Sequence, residues 1–160
     1  PVLAFTMEDV WLSRYPGEES SVHLQDFPET PVNWQDAELA RKWEEIRRVR
    51  RVVTAALEIQ RQEKVIGSSL EAAPVVHVRN PDMQEALKGV EFADVCITSE
   101  IWLTTDPIPA EAFRLPEIEG VGVVFERADG GKCERCWKIL PDVGTHKHPG
   151  TCARCDAVLG

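Results

Sequence analysis

Two Cys-x2-Cys pairs lie fifteen residues apart in the segment GKCERCWKILPDVGTHKHPGTCARC, residues 131–155. A two-residue gap lets both sulfur atoms of a pair reach one metal ion, and the connection is long enough to fold the second pair back onto the first. Four thiolates close a tetrahedral site and leave no open position for water, so we expect a structural rather than a catalytic zinc ion. The predicted ligands are Cys133, Cys136, Cys152 and Cys155.

Other uses of these cysteines fit the sequence less well. Two disulfides would require an oxidising compartment, and a thioredoxin-like Cys-x2-Cys stands between a strand and a helix without a second pair. Iron could occupy the same four thiolates, as in rubredoxin, although basic surroundings do not favour an electron carrier. His146 and His148 lie between the pairs and could replace a ligand, but four correctly spaced cysteines make that unnecessary. The fifth cysteine, Cys96, sits in an apolar run and is expected to be buried.

Trp137 directly follows the second cysteine and has two interpretations. It could cover the metal, or it could be held rigid and exposed, where stacking on a nucleic-acid base contributes about 1–3 kcal/mol. Residues 127–160 hold six basic and four acidic side chains, a local charge of +2. Four thiolates with Zn²⁺ carry a formal charge of −2, so this module would contact a polyanion through individually placed groups rather than through a strong field.

Upstream, apolar residues recur every three or four positions from Leu39 to Leu57, the pattern of one helical stripe. With Asn33 as the N-cap and Gly67 as a stop signal, the pattern predicts a helix of roughly thirty residues that ends near Lys64. Residues 41–64 carry a local charge of +4. Four arginines on this helix could face phosphates or could form a solvated surface balanced by glutamates. Because they spread over more than one face, only one or two are expected to meet the same partner. They are Arg47, Arg48, Arg50 and Arg51.

The remaining segments predict short elements. A short helix is expected to open at Thr6, and residues 16–32, rich in Pro, Glu and Ser, read as an extended connection. Strands are predicted at 73–78, 101–103 and 121–125, a helix begins at Asn80-Pro81 and runs to Leu87, and residues 92–97 fit either state. The sequence therefore predicts an α+β fold with three parts: helical residues 1–69, a small α/β unit over 70–128, and a zinc finger over 129–160.

Composition bounds the class of protein. The chain has 160 residues, 43% of them hydrophobic and 28% charged, with a net charge of −9. These values are typical of a globular protein, and no apolar run approaches the ~20 residues that cross a bilayer. Without a signal-peptide pattern and with clustered cysteines, we expect a cytoplasmic protein without a membrane partner. The apolar start at Pro1–Phe5 lacks an initiator Met, so we also expect a piece of a larger chain.

Three stretches outside the cysteine module complete the pattern: PVLAFTMEDVW (1–11), SVHLQDFP (21–28) and KVIGSSLEA (64–72). Together with GKCERCW (131–137), DVG (142–144) and CARC (152–155), they resemble the C-terminal end of bacterial isoleucyl-tRNA synthetases, over essentially the whole chain. The GSSLEA segment is shared with related class I synthetases, whereas the four-cysteine module with Arg-Cys-Trp is the more specific part. A similar finger ends certain DNA repair glycosylases, in which the long helix and GSSLEA have no place.

The resemblance implies the end of a helical anticodon-binding bundle, a junction unit and a zinc finger, in a monomeric enzyme that activates isoleucine with ATP and Mg²⁺ and attaches it to its tRNA. Catalytic and editing domains would lie upstream, because nothing here resembles the His-Ile-Gly-His and Lys-Met-Ser-Lys-Ser signatures. This part would hold the anticodon stem-loop and would not itself be catalytic. Two alternatives stay open: a finger that acts only as a structural clamp, and a DNA-binding finger of the repair type. The predicted RNA contacts are Arg135, Trp137, Arg47, Arg48, Arg51 and Lys64.

Overall fold

A computed structural model of the chain describes residues 2–160, so Pro1 lies outside it. The described residues have the predicted α+β fold, with five α-helices, two small sheets and a four-cysteine cluster. The backbone divides into two compact units, the first ending at Asp36 and the second running from Ala37 to Gly160. None of the helices within residues 2–160 combines the length and apolarity needed to cross a membrane.

The first unit contains helix α1 (Ala4–Arg14) and two 3-10 helices, Val22–Leu24 and Val32–Trp34. The expected start at Thr6 is wrong: the Met7 N–H already donates to the Leu3 carbonyl at 2.8 Å, which places Thr6 inside the first turn. The chain after α1 folds back onto it, because the Glu8 carboxylate accepts hydrogen bonds from the Ser21 hydroxyl at 3.0 Å and the Val22 N–H at 2.9 Å.

Helix α2 (Ala37–Gln62) is the long amphipathic helix, although it begins four residues after the predicted N-cap. Asn33 lies instead in the 3-10 turn that follows Pro31. The predicted stripe is confirmed from Ile46 to Leu57 but is wrong at its start, where Leu39 and Trp43 are exposed. The buried face comprises Ile46, Val49, Val52, Val53, Ala56 and Leu57.

The end of α2 lies near Lys64, as predicted, but Gly67 is not the stop signal. The Val65 N–H donates to the Gln60 carbonyl at 2.9 Å and the Lys64 N–H to the Arg61 carbonyl at 3.0 Å. This is a Schellman motif, which requires a left-handed residue at the position of Lys64, whose φ is 59°. A lysine therefore occupies a position that glycine usually fills.

The α/β part is built on a three-stranded sheet. Strand β1 (Val75–Val78) lies in the centre, parallel to β2 (Trp102–Thr104) and antiparallel to β3 (Val121–Val124). Helix α3 (Pro81–Leu87) is capped by the Asn80 side chain, and the ambiguous run forms helix α4 (Phe92–Cys96). Helix α2 packs against α3, α4 and β3, so one hydrophobic core joins the long helix to the sheet.

The cysteine segment forms a hairpin followed by a helix. Strand β4 (Gly131–Lys132) pairs antiparallel with β5 (Ile139–Leu140), and helix α5 (Ala153–Leu159) carries the second cysteine pair at its start. Three of the four cysteines are buried in a second, smaller core together with half-buried Leu140 and Val143. The fold thus holds the cysteines in a core of their own.

Candidate metal centre and nucleic-acid interface

The four cysteines of the two pairs come together as the spacing predicts. Their sulfur atoms all lie within 4.8 Å of one another, and the Cys136 and Cys152 sulfurs are 3.7 Å apart. A tetrahedral zinc site with Zn–S bonds of about 2.3 Å has sulfur–sulfur edges of about 3.8 Å. The donor set and its spacing therefore fit one zinc ion.

Two of the buried thiols, Cys133 and Cys152, differ in pKa. Burial by itself acts to raise the pKa of both thiols, but it decides the outcome at only one of them. At Cys133, hydrogen bonds from backbone N–H groups outweigh that burial and lower the pKa to about 6. At Cys152 burial prevails, so its pKa lies well above the ordinary value. Because zinc binds thiolates, metal binding at this cluster would release protons.

A network of hydrogen bonds fixes the two pairs relative to each other. The Asp142 carboxylate accepts from the Ala153 N–H at 2.7 Å and contacts His146 Nε2 at 2.8 Å, which ties the connecting loop to the start of α5. His148 Nδ1 likewise lies 2.8 Å from the Asp156 carboxylate. Both histidines are half-buried and bonded to carboxylates, so they support the loop rather than contribute to the sulfur cluster.

Of the two arrangements that the sequence allows for Trp137, the structure has the exposed one. Its side chain is 61% exposed, and its φ of 65° lies in the left-handed region. The Trp137 N–H donates to the Cys133 carbonyl at 2.8 Å, so the turn around the first cysteine pair fixes its backbone. Lys132 Nζ lies 5.7 Å from the ring centre, within range of a cation–π contact. The sequence interpretation did not count Lys132 among the contacts, although its place one residue before the first cysteine was the available signal.

Arg135 lies in the same turn and is exposed. Its Nη1 atom is 3.7 Å from the Cys155 sulfur, so one end of the guanidinium offsets charge at the cluster. Arg135 and Trp137 therefore form one group of predicted contacts, held by the first cysteine pair.

The arginines of α2 divide into free and engaged side chains. Arg48 Nη1 lies 3.0 Å from the Glu45 carboxylate, and Arg50 Nε donates to the Val95 carbonyl at 2.8 Å. Arg47 and Arg51 are exposed, and neither forms an ion pair within residues 2–160. Since they are four residues apart, they share one face of the helix. That only one or two of the four arginines meet RNA stays a prediction.

Two residues that the sequence did not single out attach the finger to the α/β part. The Asp94 carboxylate on α4 contacts Lys138 Nζ at 2.5 Å and Arg154 Nη1 at 2.9 Å. The buried Ser99 hydroxyl accepts from the Ile139 N–H at 2.6 Å and donates to the Leu70 carbonyl at 2.5 Å. No local pattern marks these partners, because they lie 29 to 60 residues apart along the chain.

Comparison with known proteins supplies the context of this site. A family model described as the anticodon-binding domain of tRNA ligase matches residues 1–77, and one described as the zinc finger found in FPG and IleRS matches residues 130–158. Curated isoleucine–tRNA ligases align with the whole chain: the one from Ruegeria pomeroyi is 66% identical over 160 residues, covering 100% of this chain. This chain matches isoleucine–tRNA ligases over its whole length. Ligases of Agrobacterium fabrum and Bartonella henselae are 53% and 49% identical over 99% of the chain.

The chain spans 16% of the length of these ligases. It corresponds to the anticodon-binding and zinc-finger region of the isoleucine–tRNA ligase family, as the sequence resemblance predicted. The description of the finger model names both FPG and IleRS, whereas the match over residues 1–77 and the alignments over the whole of this chain are with tRNA ligases. This finding argues against the repair-type DNA-binding finger.

Proposed function

We propose that this chain binds the anticodon stem-loop of isoleucine tRNA, and that Trp137 stacks on an unpaired base of the loop. The observation that carries the proposal is the Trp137 ring, which is 61% exposed while its backbone is fixed by the first cysteine pair. A rigid exposed ring loses little conformational entropy on stacking, and single-stranded RNA loops offer bases that are free to stack. Arg135, in the same turn, is the second contact that we assign to the finger.

We assign the backbone phosphates chiefly to Arg47 and Arg51. Both are exposed on one face of α2 and have no carboxylate partner within the described residues. Arg48 is a weaker candidate, because its pair with Glu45 must open before it can bind a phosphate. Lys64 is exposed at the end of the same helix, so it could extend this basic surface. Phosphate contacts of this kind position the RNA, and base contacts specify it.

Zinc, in this proposal, is held by Cys133, Cys136, Cys152 and Cys155 and supplies a structural centre for the finger. Four thiolates would leave the zinc ion no open coordination position for water, so the metal would not take part in a reaction. Along the chain, the finger would occupy residues 129–160 and would follow a helical part over 1–69 and a junction unit over 70–128. The metal thereby would keep Arg135 and Trp137 in one fixed arrangement.

The enzymatic role belongs to the whole ligase. We propose that the complete protein activates isoleucine with ATP and Mg²⁺ and attaches it to tRNA, as a cytoplasmic monomer whose catalytic and editing domains lie outside these residues. The names of the relatives support this activity for the family, and the chain would contribute tRNA recognition rather than catalysis.

The test is a titration of the zinc-loaded chain with isoleucine tRNA and with an unrelated tRNA, at two salt concentrations. We expect a clear preference for isoleucine tRNA, and loss of the Trp137 ring should weaken that binding by about 5- to 150-fold, the equivalent of one stacked base. Trp102→Ala is the matched control: Trp102 is 58% exposed and lies on β2, in the groove that also contains Lys138 and Arg154, rather than in the turn around the first cysteine pair. Equal affinity for both tRNAs would contradict anticodon recognition.

A purely structural finger remains the competing function, and one observation favours it: two of the finger's cations are engaged by Asp94 rather than available to RNA. In that case Trp137→Ala in the complete ligase should reduce tRNA charging only in proportion to any loss of folded protein. A larger reduction, with zinc content unchanged, would support the RNA contact.

A further inference from the structure

The finger and the α/β part have separate hydrophobic cores. The larger core joins α2 to the sheet, and the smaller one consists of cysteines with Leu140 and Val143. The finger is attached to the rest of its unit largely through polar contacts, centred on Ser99 and Asp94. These directional hydrogen bonds and ion pairs therefore help to orient the finger on α4.

Asp94 is placed to hold both halves of the finger at once. Lys138 follows the first cysteine pair by two residues, and Arg154 lies inside the second pair. The two oxygens of one carboxylate contact these two cations, at 2.5 Å and 2.9 Å. We call these two contacts of Asp94, with Lys138 and Arg154, the clamp. The Lys138 side chain is only 15% exposed, so its contact with Asp94 is shielded from solvent. The hydrogen bond from Lys138, together with the charge of Arg154, lowers the pKa of Asp94.

We propose that Asp94 is a positioning residue for RNA recognition: it fixes the orientation of the finger on α4 and withholds Lys138 and Arg154 from phosphates. This inference rests on the proposed RNA-binding function and deepens it. Both parts of this role favour specific binding. A correctly oriented Trp137 contributes specificity, whereas a lysine or arginine released from Asp94 would add affinity for any RNA.

The charge balance of the finger supports the second part of this role, the withholding of Lys138 and Arg154 from phosphates. Residues 127–160 hold six basic and four acidic side chains. With Lys138 and Arg154 engaged by Asp94, the basic side chains beside Trp137 are Lys132 and Arg135. Contact with a loop then depends on stacking and on a few fixed donors. Releasing two cations would add up to two phosphate contacts, which steepens the dependence of log K on log[salt] by about 1.4–1.8.

The experiment compares Asp94→Asn with the unmodified zinc-loaded chain. Glu91→Gln is the matched control: it removes the same charge three residues away, at the start of the same helix, where Glu91 has no ion pair within residues 2–160. Affinity for isoleucine tRNA and for an unrelated tRNA is measured from 50 to 200 mM salt. Hydrogen exchange of the Ile139 amide, which donates to Ser99, reports the orientation of the finger without RNA.

For Asp94→Asn we expect the preference for isoleucine tRNA to fall by about fivefold, the upper range for a partly exposed ion pair. The salt dependence should steepen as calculated above, and the Ile139 amide should exchange faster, with zinc content unchanged. Glu91→Gln should reproduce none of these changes. A merely structural role for Asp94 would not steepen the salt dependence for unrelated tRNA.

The double variant Lys138→Gln/Arg154→Gln keeps the inference testable if Asp94→Asn is poorly folded. It removes the clamp without releasing cations, so the tRNA preference should fall while the salt dependence does not steepen. An Asp94→Asn protein that matches Glu91→Gln in preference, salt dependence and Ile139 exchange would overturn the inference. If Trp137→Ala leaves tRNA binding unchanged, the proposed function fails instead; unaltered Ile139 exchange would then overturn the orienting role of Asp94 as well.

Discussion

Replacing Trp137 by glycine and, separately, by alanine distinguishes what this residue does for the finger from what it does for RNA. Its φ is 65°, a region that costs an L-residue roughly 1–2 kcal/mol but costs glycine little. Both variants lose the ring, which is 61% exposed and so contributes little buried surface. Only the alanine variant keeps the unfavourable backbone conformation. We therefore expect the glycine variant to form the more stable finger, by about 1 kcal/mol.

Zinc affinity provides the assay, because folding of such a small module is coupled to metal binding. A difference of about 1 kcal/mol corresponds to about a fivefold difference in zinc affinity, measurable by competition with a chromophoric chelator. In the same samples, both variants should bind isoleucine tRNA about 5- to 150-fold more weakly than the unmodified chain. Trp137→Phe, which retains a ring that can stack, should lie between these variants and the unmodified chain.

Two results would refute this reasoning independently. Equal zinc affinity of the glycine and alanine variants would mean that the left-handed backbone at Trp137 costs nothing measurable. Binding of tRNA by Trp137→Phe as weak as by Trp137→Ala would mean that stacking is not the source of the affinity. Trp102→Ala should leave both the zinc affinity and the tRNA affinity unchanged, because that exposed tryptophan lies on β2 rather than in the turn around the first cysteine pair.

Three further predictions concern the rest of the chain. Lys64→Gly should stabilise the chain by about 1 kcal/mol in thermal unfolding, because φ at this position is 59°, and should make the salt dependence of tRNA binding shallower by about 0.7–0.9 if Lys64 binds a phosphate. Chelation of zinc should speed amide hydrogen exchange across residues 129–160 while the amides of β1 stay protected, because the two cores are separate; loss of protection in β1 would contradict that separation. Ile46→Ala should lower the free energy of unfolding by about 2–5 kcal/mol, since Ile46 is fully buried, whereas Ile59→Ala, at a position 38% exposed, should cost less than about 1 kcal/mol in the same denaturant titration.

The features that sequence reasoning predicted correctly are those with a strict spacing rule. The two Cys-x2-Cys pairs specify a four-sulfur cluster because only one arrangement brings all four donors together. The apolar period from Ile46 to Leu57 specifies the buried face of α2 because a helix has one dominant period, although the predicted stripe began at Leu39, which is exposed. Asn80-Pro81 locates the start of α3, since an Asx cap and a proline at the first position act locally.

The features that it missed depend on competing local patterns or on distant partners. Thr6 and Asn33 both resemble N-caps, but neither begins its helix. Helix α1 already begins at Ala4, and Asn33 lies in the 3-10 helix Val32–Trp34 that precedes α2. Gly67 resembles a stop signal, yet the Schellman bonds close around Lys64 three residues earlier. The contacts of Asp94 with the finger span 44 and 60 residues, and no local rule specifies them.

Backbone conformation and exposure together distinguish Trp137 from other unusual positions. Within residues 2–160, three non-glycine residues have positive φ: Lys64, Ile97 and Trp137. Ile97 ends α4 and carries no charge or aromatic ring, so left-handed backbone alone does not mark a binding residue. At Trp137 the same backbone presents a large exposed ring beside Lys132, at a position where glycine would cost the fold less. Trp137 is disfavoured by the fold by about 1 kcal/mol, in a chain that matches an anticodon-binding domain of tRNA ligase, and this cost supports our proposal that its ring contacts a partner outside the chain.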